Sequence, residues 1–116
     1  MTKQEPITRP RFLALDLATS TAADCLTLLR GLHGDLAEQV SRAVSSVALN
    51  LAEGSGRFGR DRIHHFRIAY GSAMEASTGL EILKHTGALN ANQVQRVLED
   101  LDRIRAMTWR AMNPRN

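Results

Sequence analysis

The chain is poor in cysteine, aromatic residues and proline. Cys25 is the one cysteine among 116 residues, which excludes an internal disulfide framework. Aromatic residues make up 4% of the sequence and strand-favouring clusters are missing, so the core has to be built from aliphatic side chains and alanine. Because Ala and Leu favour helices, this composition predicts an all-α protein. With 43% hydrophobic residues, the chain can form one domain with a core.

The signatures of membrane, metal and catalytic proteins are also missing. There is no long apolar run and no signal peptide, so we expect a cytoplasmic protein with no membrane contact. No Glu-x-x-His pair occurs, and the adjacent His64 and His65 would point about 100° apart on a helix. The glycine-rich segment 54–60 is not followed by the Gly-Lys-Ser/Thr of a phosphate loop, and no Gly-x-Ser-x-Gly is present. The sequence therefore predicts no catalytic residue, no metal site and no cofactor.

The basic residues are mostly arginine and are unevenly placed. The net charge is +3, and 13 of the 15 basic residues are arginine, the side chain suited to bidentate phosphate contacts. One cluster contains Arg57, Arg60, Arg62 and Arg67. It could bind RNA or DNA phosphates with little sequence reading. The same arginines could instead pair with Asp and Glu at helix ends, and the sequence leaves both interpretations open.

Apolar residues recur at three- and four-residue steps in four segments, as in amphipathic helices. The segments run from Phe12 to Leu32, from Asp35 to the glycines at 54 and 56, from Asp61 to Thr86, and from Asn90 to Asn113. Short connectors favour antiparallel neighbours, so we predict an up-down-up-down four-helix bundle. The bundle would cover residues 12–113, with a flexible arm at 1–11 and a tail at 114–116.

Two of these segments open on capping-box patterns. Asp35 is followed three residues later by Glu38, and Asn90 is followed by Gln93. In such a box each side chain satisfies a free backbone amide at the helix start. Both pairs are therefore predicted to cap a helix.

Polar residues and glycines inside the second and third helices predict close packing between the two. Gly71 and Gly79 should each cost about 1 kcal/mol relative to Ala, which suggests close backbone approach by a neighbour. We also expect a buried or half-buried contact that fixes helix register, with an arginine as the partner of a glutamate. Its predicted members are Asn50, Glu53, Ser72 and Glu75, with Arg42 and Arg67 as candidate partners.

Two motifs resemble those of a known family. Residues 46–54 read SVALNLAEG, and residues 68–75 read IAYGSAME. They are similar to the signatures S-x-x-x-N-x-A-E-G and A-x-G-S-x-x-E of the four-helix proteins encoded in 23S ribosomal RNA intervening sequences. The order and separation of the two motifs agree with that family. Tyr70 departs from it, since an arginine is common at that position.

The resemblance implies an antiparallel four-helix bundle that assembles into a ring, commonly a pentamer. It also implies kinship with the accessory variability protein of diversity-generating retroelements, a basic pentameric barrel that binds nucleic acid. No established reaction and no catalytic residue come with the resemblance.

Three hypotheses follow for function. The first is a non-enzymatic, oligomeric bundle that binds RNA or DNA through the four arginines. The second is a structural or adaptor protein whose ring binds a protein partner, with its charge incidental. The third and weakest is a small nuclease or RNA-processing factor. Assembly is supported only indirectly, because a small bundle cannot bury every face and some apolar residues of the fourth helix beyond its main seam could pack between subunits: Leu98, Met107, Trp109 and Met112. The same residues could instead complete the core of one chain or lie scattered on its surface.

Overall fold

Four helices make up most of the chain in a computed structural model, which describes residues 13–114. No strand occurs among these residues. The helices are α1 (Leu13–Leu28), α2 (Asp35–Ser55), α3 (Gly59–His85) and α4 (Ala91–Met112). Each packs against its neighbour in sequence, and α1 also packs against α4. With such short connections, this is the predicted four-helix bundle. The expected arm at 1–11 lies outside the described residues, as does most of the expected tail.

The core is built from aliphatic side chains and alanines, as the composition requires. Leu80, Leu101 and Ile104 are among the largest side chains that are almost fully buried. Ala73 and Ala76 are completely buried on α3. Small side chains at such positions let neighbouring helix backbones approach closely, while burial of the larger ones drives folding.

The structure tests where the sequence predicts that one helix ends and how two helices are capped. The helix α1 ends at Leu28 rather than Leu32, and Gly31 follows in the left-handed region with a φ of 84°. The capping box predicted at Asp35 is wrong, because Gly34 occupies the cap position and no side chain caps α2. At α4 the Asn90 side chain does accept a hydrogen bond from the Gln93 amide, at 3.1 Å.

Candidate nucleic-acid interface on α3

Two glycines bring α2 and α3 together. Gly79 of α3 lies directly against Val40, and a Cβ at that position would overlap the valine side chain. Gly54, predicted to end α2, is instead a buried residue within its last turn. A Cβ there would lie 2.6 Å from the Phe66 ring. The prediction for Gly71 needs correction, because Gly71 is exposed and no other side chain of the described residues comes within 4 Å of where its Cβ would be.

A half-buried ladder of hydrogen bonds joins the same two helices, and we call it the polar ladder: Ser46, Asn50, His65 and Ser72. Ser72 Oγ donates to Ser46 Oγ at 2.9 Å. The Asn50 amide nitrogen donates to the Ser46 hydroxyl and carbonyl oxygens, both at 3.0 Å. Its amide oxygen is therefore free to accept, and His65 Nδ1 lies 3.0 Å from it. The proton of this last bond consequently sits on His65 Nδ1.

The two glutamates predicted for an interhelical contact do not make one. Glu53 Oε2 lies 2.7 Å from Arg57 Nη2, and both side chains are about half exposed. Glu75 is exposed and has no ion pair or hydrogen bond among residues 13–114. Neither Arg42 nor Arg67 pairs with a glutamate within that range. A local partner four residues away, in water, is easier to reach than one across the helix interface, which explains the difference for Glu53.

Two of the four predicted phosphate-binding arginines are engaged by the protein itself. Arg57 bonds Glu53 and lies 3.7 Å from Asp61, and its guanidinium holds the pKa of the Glu53 carboxyl below its usual value. Arg62 donates from Nε to the Gly54 carbonyl oxygen at 3.1 Å and from Nη2 to the Ser55 oxygen at 3.2 Å. Arg62 thus caps the C-terminus of α2, where free carbonyls favour a cation.

The other two arginines face solvent on one side of α3. Arg60, His64 and Arg67 are exposed and follow each other at i, i+4 and i+7, which places them on one helix face. Within the described chain, neither Arg60 nor Arg67 has a carboxylate within ion-pair distance. We call these three residues the basic stripe. Gly71 continues the same face one turn further along.

The basic stripe borders a groove between α3 and α4. The groove has a volume of about 340 Å³ and is lined by Ile63, Arg67, Tyr70, Trp109, Met112 and Asn113. The rings of Tyr70 and Trp109 lie 6.3 Å apart between centroids, with planes at 54°. Trp109 is 56% exposed. Aromatic side chains, which are scarce in this sequence, therefore meet an arginine at the surface.

Residues 15–110 match the family described as 23S rRNA-intervening sequence protein. The chain belongs to this family. It is also similar to a solved protein of unknown function from the S23 ribosomal protein family, from Bacteroides thetaiotaomicron VPI-5482, with a TM-score of 0.81 and 20% identity. That likeness covers 87% of this chain and 99% of the other, and it shows a shared fold. A search of curated proteins finds no match.

The residues of the two motifs play different structural parts in this chain. Ser46, Asn50 and Ser72 form three of the four members of the polar ladder, whereas Glu53 and Glu75 face solvent. The fourth member, His65, was not among the predicted contacts. It lies seven residues before Ser72 and therefore on the same helix face, which is the signal that could have identified it.

The described part of the chain shows neither a metal cluster nor a membrane span. Among residues 13–114, no three His, Cys, Asp or Glu side chains come together as a metal site would require. Over the same range, no helix is both long and apolar enough to cross a bilayer.

Proposed function

We propose that the protein is a non-enzymatic bundle that assembles with copies of itself and binds RNA or DNA phosphates through the basic stripe of α3. The observation that carries this proposal is the position of Arg60 and Arg67. Both are exposed on one face, and among the described residues neither is neutralised by a carboxylate. Arginines in this state can release counterions from a phosphate backbone, whereas Arg57 and Arg62 are already engaged. Because the family's description refers to 23S rRNA, RNA is the first ligand to test.

Gly71 supports the assembly part of the proposal. An exposed glycine inside a helix costs about 1 kcal/mol relative to alanine, and residues 13–114 pack nothing against it. Ile68 and Met74, one turn before and after Gly71, are also partly exposed. Close approach of a second copy would give all three a packing partner. A pentameric ring, and kinship with the accessory variability protein, remain part of this proposal, as does a cytoplasmic location.

The second candidate is an adaptor that binds a protein partner. Large apolar side chains are exposed at Leu49, at 68%, and at Phe58, at 82%. They lie on α2 and on the α2–α3 connector, and neither is among the residues that line the groove between α3 and α4. Apolar side chains left in water at the surface favour protein contacts over phosphate contacts.

A binding assay combined with mass measurement tests the proposal. Light scattering should give a mass above the 12.8 kDa of one chain. Structured RNA should bind at low salt, and the double variant Arg60→Gln/Arg67→Gln should bind at least about tenfold more weakly if two phosphate contacts are lost. The control Arg30→Gln/Arg96→Gln removes the same charge at the other end of the bundle and should change affinity much less. No binding by the parent protein at low salt would favour the adaptor, and a monomer at micromolar concentration would exclude the ring.

A further inference from the structure

We propose that the groove between α3 and α4 binds single-stranded nucleic acid, with a base stacked on Trp109 and a neighbouring phosphate held by Arg67. This inference rests on the proposed function and names the form of nucleic acid that the α3 surface takes. Four observations on the groove support it: its exposed indole, its fixed tyrosine, its charge and its continuity with the basic stripe.

Trp109 offers an accessible aromatic face. A side chain of this size is usually well buried, yet 56% of Trp109 is exposed. It is the one tryptophan of the sequence. Aromatic side chains that stay accessible beside cationic groups are the platforms on which unpaired bases stack, and every base has a face that can use them.

Tyr70 is held in place beside the indole. The Arg105 guanidinium carbon lies 5.9 Å from the centroid of the tyrosine ring. Arg105 is fixed in turn, because its Nη1 lies 2.8 Å from Met74 Sδ and its Nη2 pairs with Asp102. A ring held in this way loses little conformational freedom when a ligand binds, so the second wall of the groove is already organised.

The charge of the groove suits a phosphate chain. None of the residues described as lining it is acidic, and Arg67 is one of them. The surface around Arg57 differs in this respect, because two acidic residues, Glu53 and Asp61, lie beside that arginine. From Arg67 the basic stripe continues through His64 to Arg60 along about 10 Å of helix, at 1.5 Å per residue. A strand whose base enters the groove could therefore pass its next phosphates along the stripe.

These features favour a single strand over a duplex. In a duplex the base faces are stacked on each other and cannot reach an indole, so binding would depend on phosphate contacts alone. In a single strand the bases can be splayed out, and each stacked base strengthens binding. The groove lies at the lower end of the 300–1,000 Å³ range typical of small-ligand sites, a size suited to one base rather than a helix of nucleic acid.

The intrinsic fluorescence of the full chain tests the inference, because the emission of the single tryptophan reports Trp109 alone. The probes are a short oligothymidylate and a DNA duplex of equal length at low salt. We expect the oligothymidylate to quench the emission and to bind more tightly than the duplex. Trp109→Leu should weaken single-strand binding about tenfold or more, with duplex binding unchanged, whereas Trp109→Phe should retain most of the single-strand affinity.

Other results would contradict either the inference alone or the proposed function as well. Equal affinity for both probes, or single-strand binding without quenching, would overturn the inference and leave the proposed function standing. Emission that changes with protein concentration in the absence of nucleic acid would show that a second copy covers the groove and would also overturn the inference. No binding of either probe would overturn the inference, and the proposed function falls with it when structured RNA at low salt also fails to bind. If Trp109→Leu fails to fold, the inference is still tested by the quenching of the parent protein and by the single-strand affinity of Trp109→Phe.

Discussion

Nδ1 of His65 on α3 lies 3.0 Å from the amide oxygen of Asn50 on α2. The Ser72–Ser46 bond lies one turn away on α2 and two turns away on α3, so the two contacts tie the helices at two heights. A shift of either helix along its axis would break both bonds and leave half-buried polar groups unsatisfied. The polar ladder therefore fixes the register of α2 and α3, and with it the position of the basic stripe.

Replacing Asn50 should destabilise the fold. Asn50→Ala removes the acceptor of His65 and the donor to Ser46, so we expect a loss of about 1–3 kcal/mol in the free energy of unfolding. Urea denaturation followed by circular dichroism measures it. Asn92→Ala, at an exposed position of α4, is the matched control and should change stability by less than about 0.5 kcal/mol. An unchanged unfolding midpoint for Asn50→Ala would contradict the ladder.

Replacing Glu53 should matter much less. Its partner Arg57 lies on the surface, where solvent screens the pair. Because Arg57 lowers the folded pKa of Glu53, the contribution of the pair is present above the ordinary glutamate pKa of 4.5 and is lost as the pH falls through the lower folded value. We expect the melting temperature of Glu53→Ala to stay near that of the parent at pH 7, with any difference vanishing in acid. A loss as large as that of Asn50→Ala would show that the glutamate is buried.

The glycines of α3 should respond to alanine in opposite directions. Gly79→Ala forces a Cβ into Val40, whose branched side chain is stiff on a helix, so we expect a loss of about 1–3 kcal/mol. Gly71→Ala meets no side chain of the described residues and should gain up to about 1 kcal/mol of helix stability in the separated chain.

The same substitution, Gly71→Ala, should weaken assembly although it stabilises the helix. If a second copy packs against Gly71, the added methyl group should raise the dissociation constant of the oligomer while the helix itself gains stability. Light scattering across a dilution series, beside thermal unfolding at the lowest concentration, separates the two effects. Unchanged dissociation would mean that assembly does not use this face.

Cys25 should be inert in the native protein. It is completely buried, and burial, with a smaller effect of the Asp24 carboxylate, raises the pKa of its thiol to about 11. We expect a disulfide reagent at pH 8 to label it slowly in buffer and rapidly in urea. Because the folded pKa lies above the ordinary value of 9.0, stability should fall as the pH rises from about 9 to 11. Equal labelling rates in both solvents would contradict this burial.

The helices were predictable because the spacing of apolar residues and the glycines near helix ends are local signals. The polar ladder was predictable in part, since Asn50 and Ser72 are polar residues placed among small ones. The position of Glu53 was not, because a residue three places from Asn50 can face either the neighbouring helix or water. In the structure Gly54 packs against the Phe66 ring, and the neighbouring Glu53 faces water.

The sequence could not show which arginines bind groups of the protein itself and which face solvent. Four arginines occur within eleven positions, and their residue type alone does not distinguish them. Whether each contacts a carboxylate, a carbonyl or solvent depends on the turn between α2 and α3. The structure separates Arg57 and Arg62, which the protein engages, from Arg60 and Arg67, which face solvent. The same limit applies to Gly71 and Gly79, since helical spacing alone did not reveal which of them faces a neighbour.

The salt dependence of single-strand binding tests the central claim most directly. If Arg60 and Arg67 each neutralise one phosphate, the logarithm of the binding constant should fall linearly with the logarithm of salt concentration. The slope should become shallower by about 1.4 in Arg60→Gln/Arg67→Gln, at about 0.7 per phosphate, and stay unchanged in Arg30→Gln/Arg96→Gln. Equal slopes for the parent and the Arg60→Gln/Arg67→Gln variant would contradict the claim that the basic stripe of α3 binds nucleic acid.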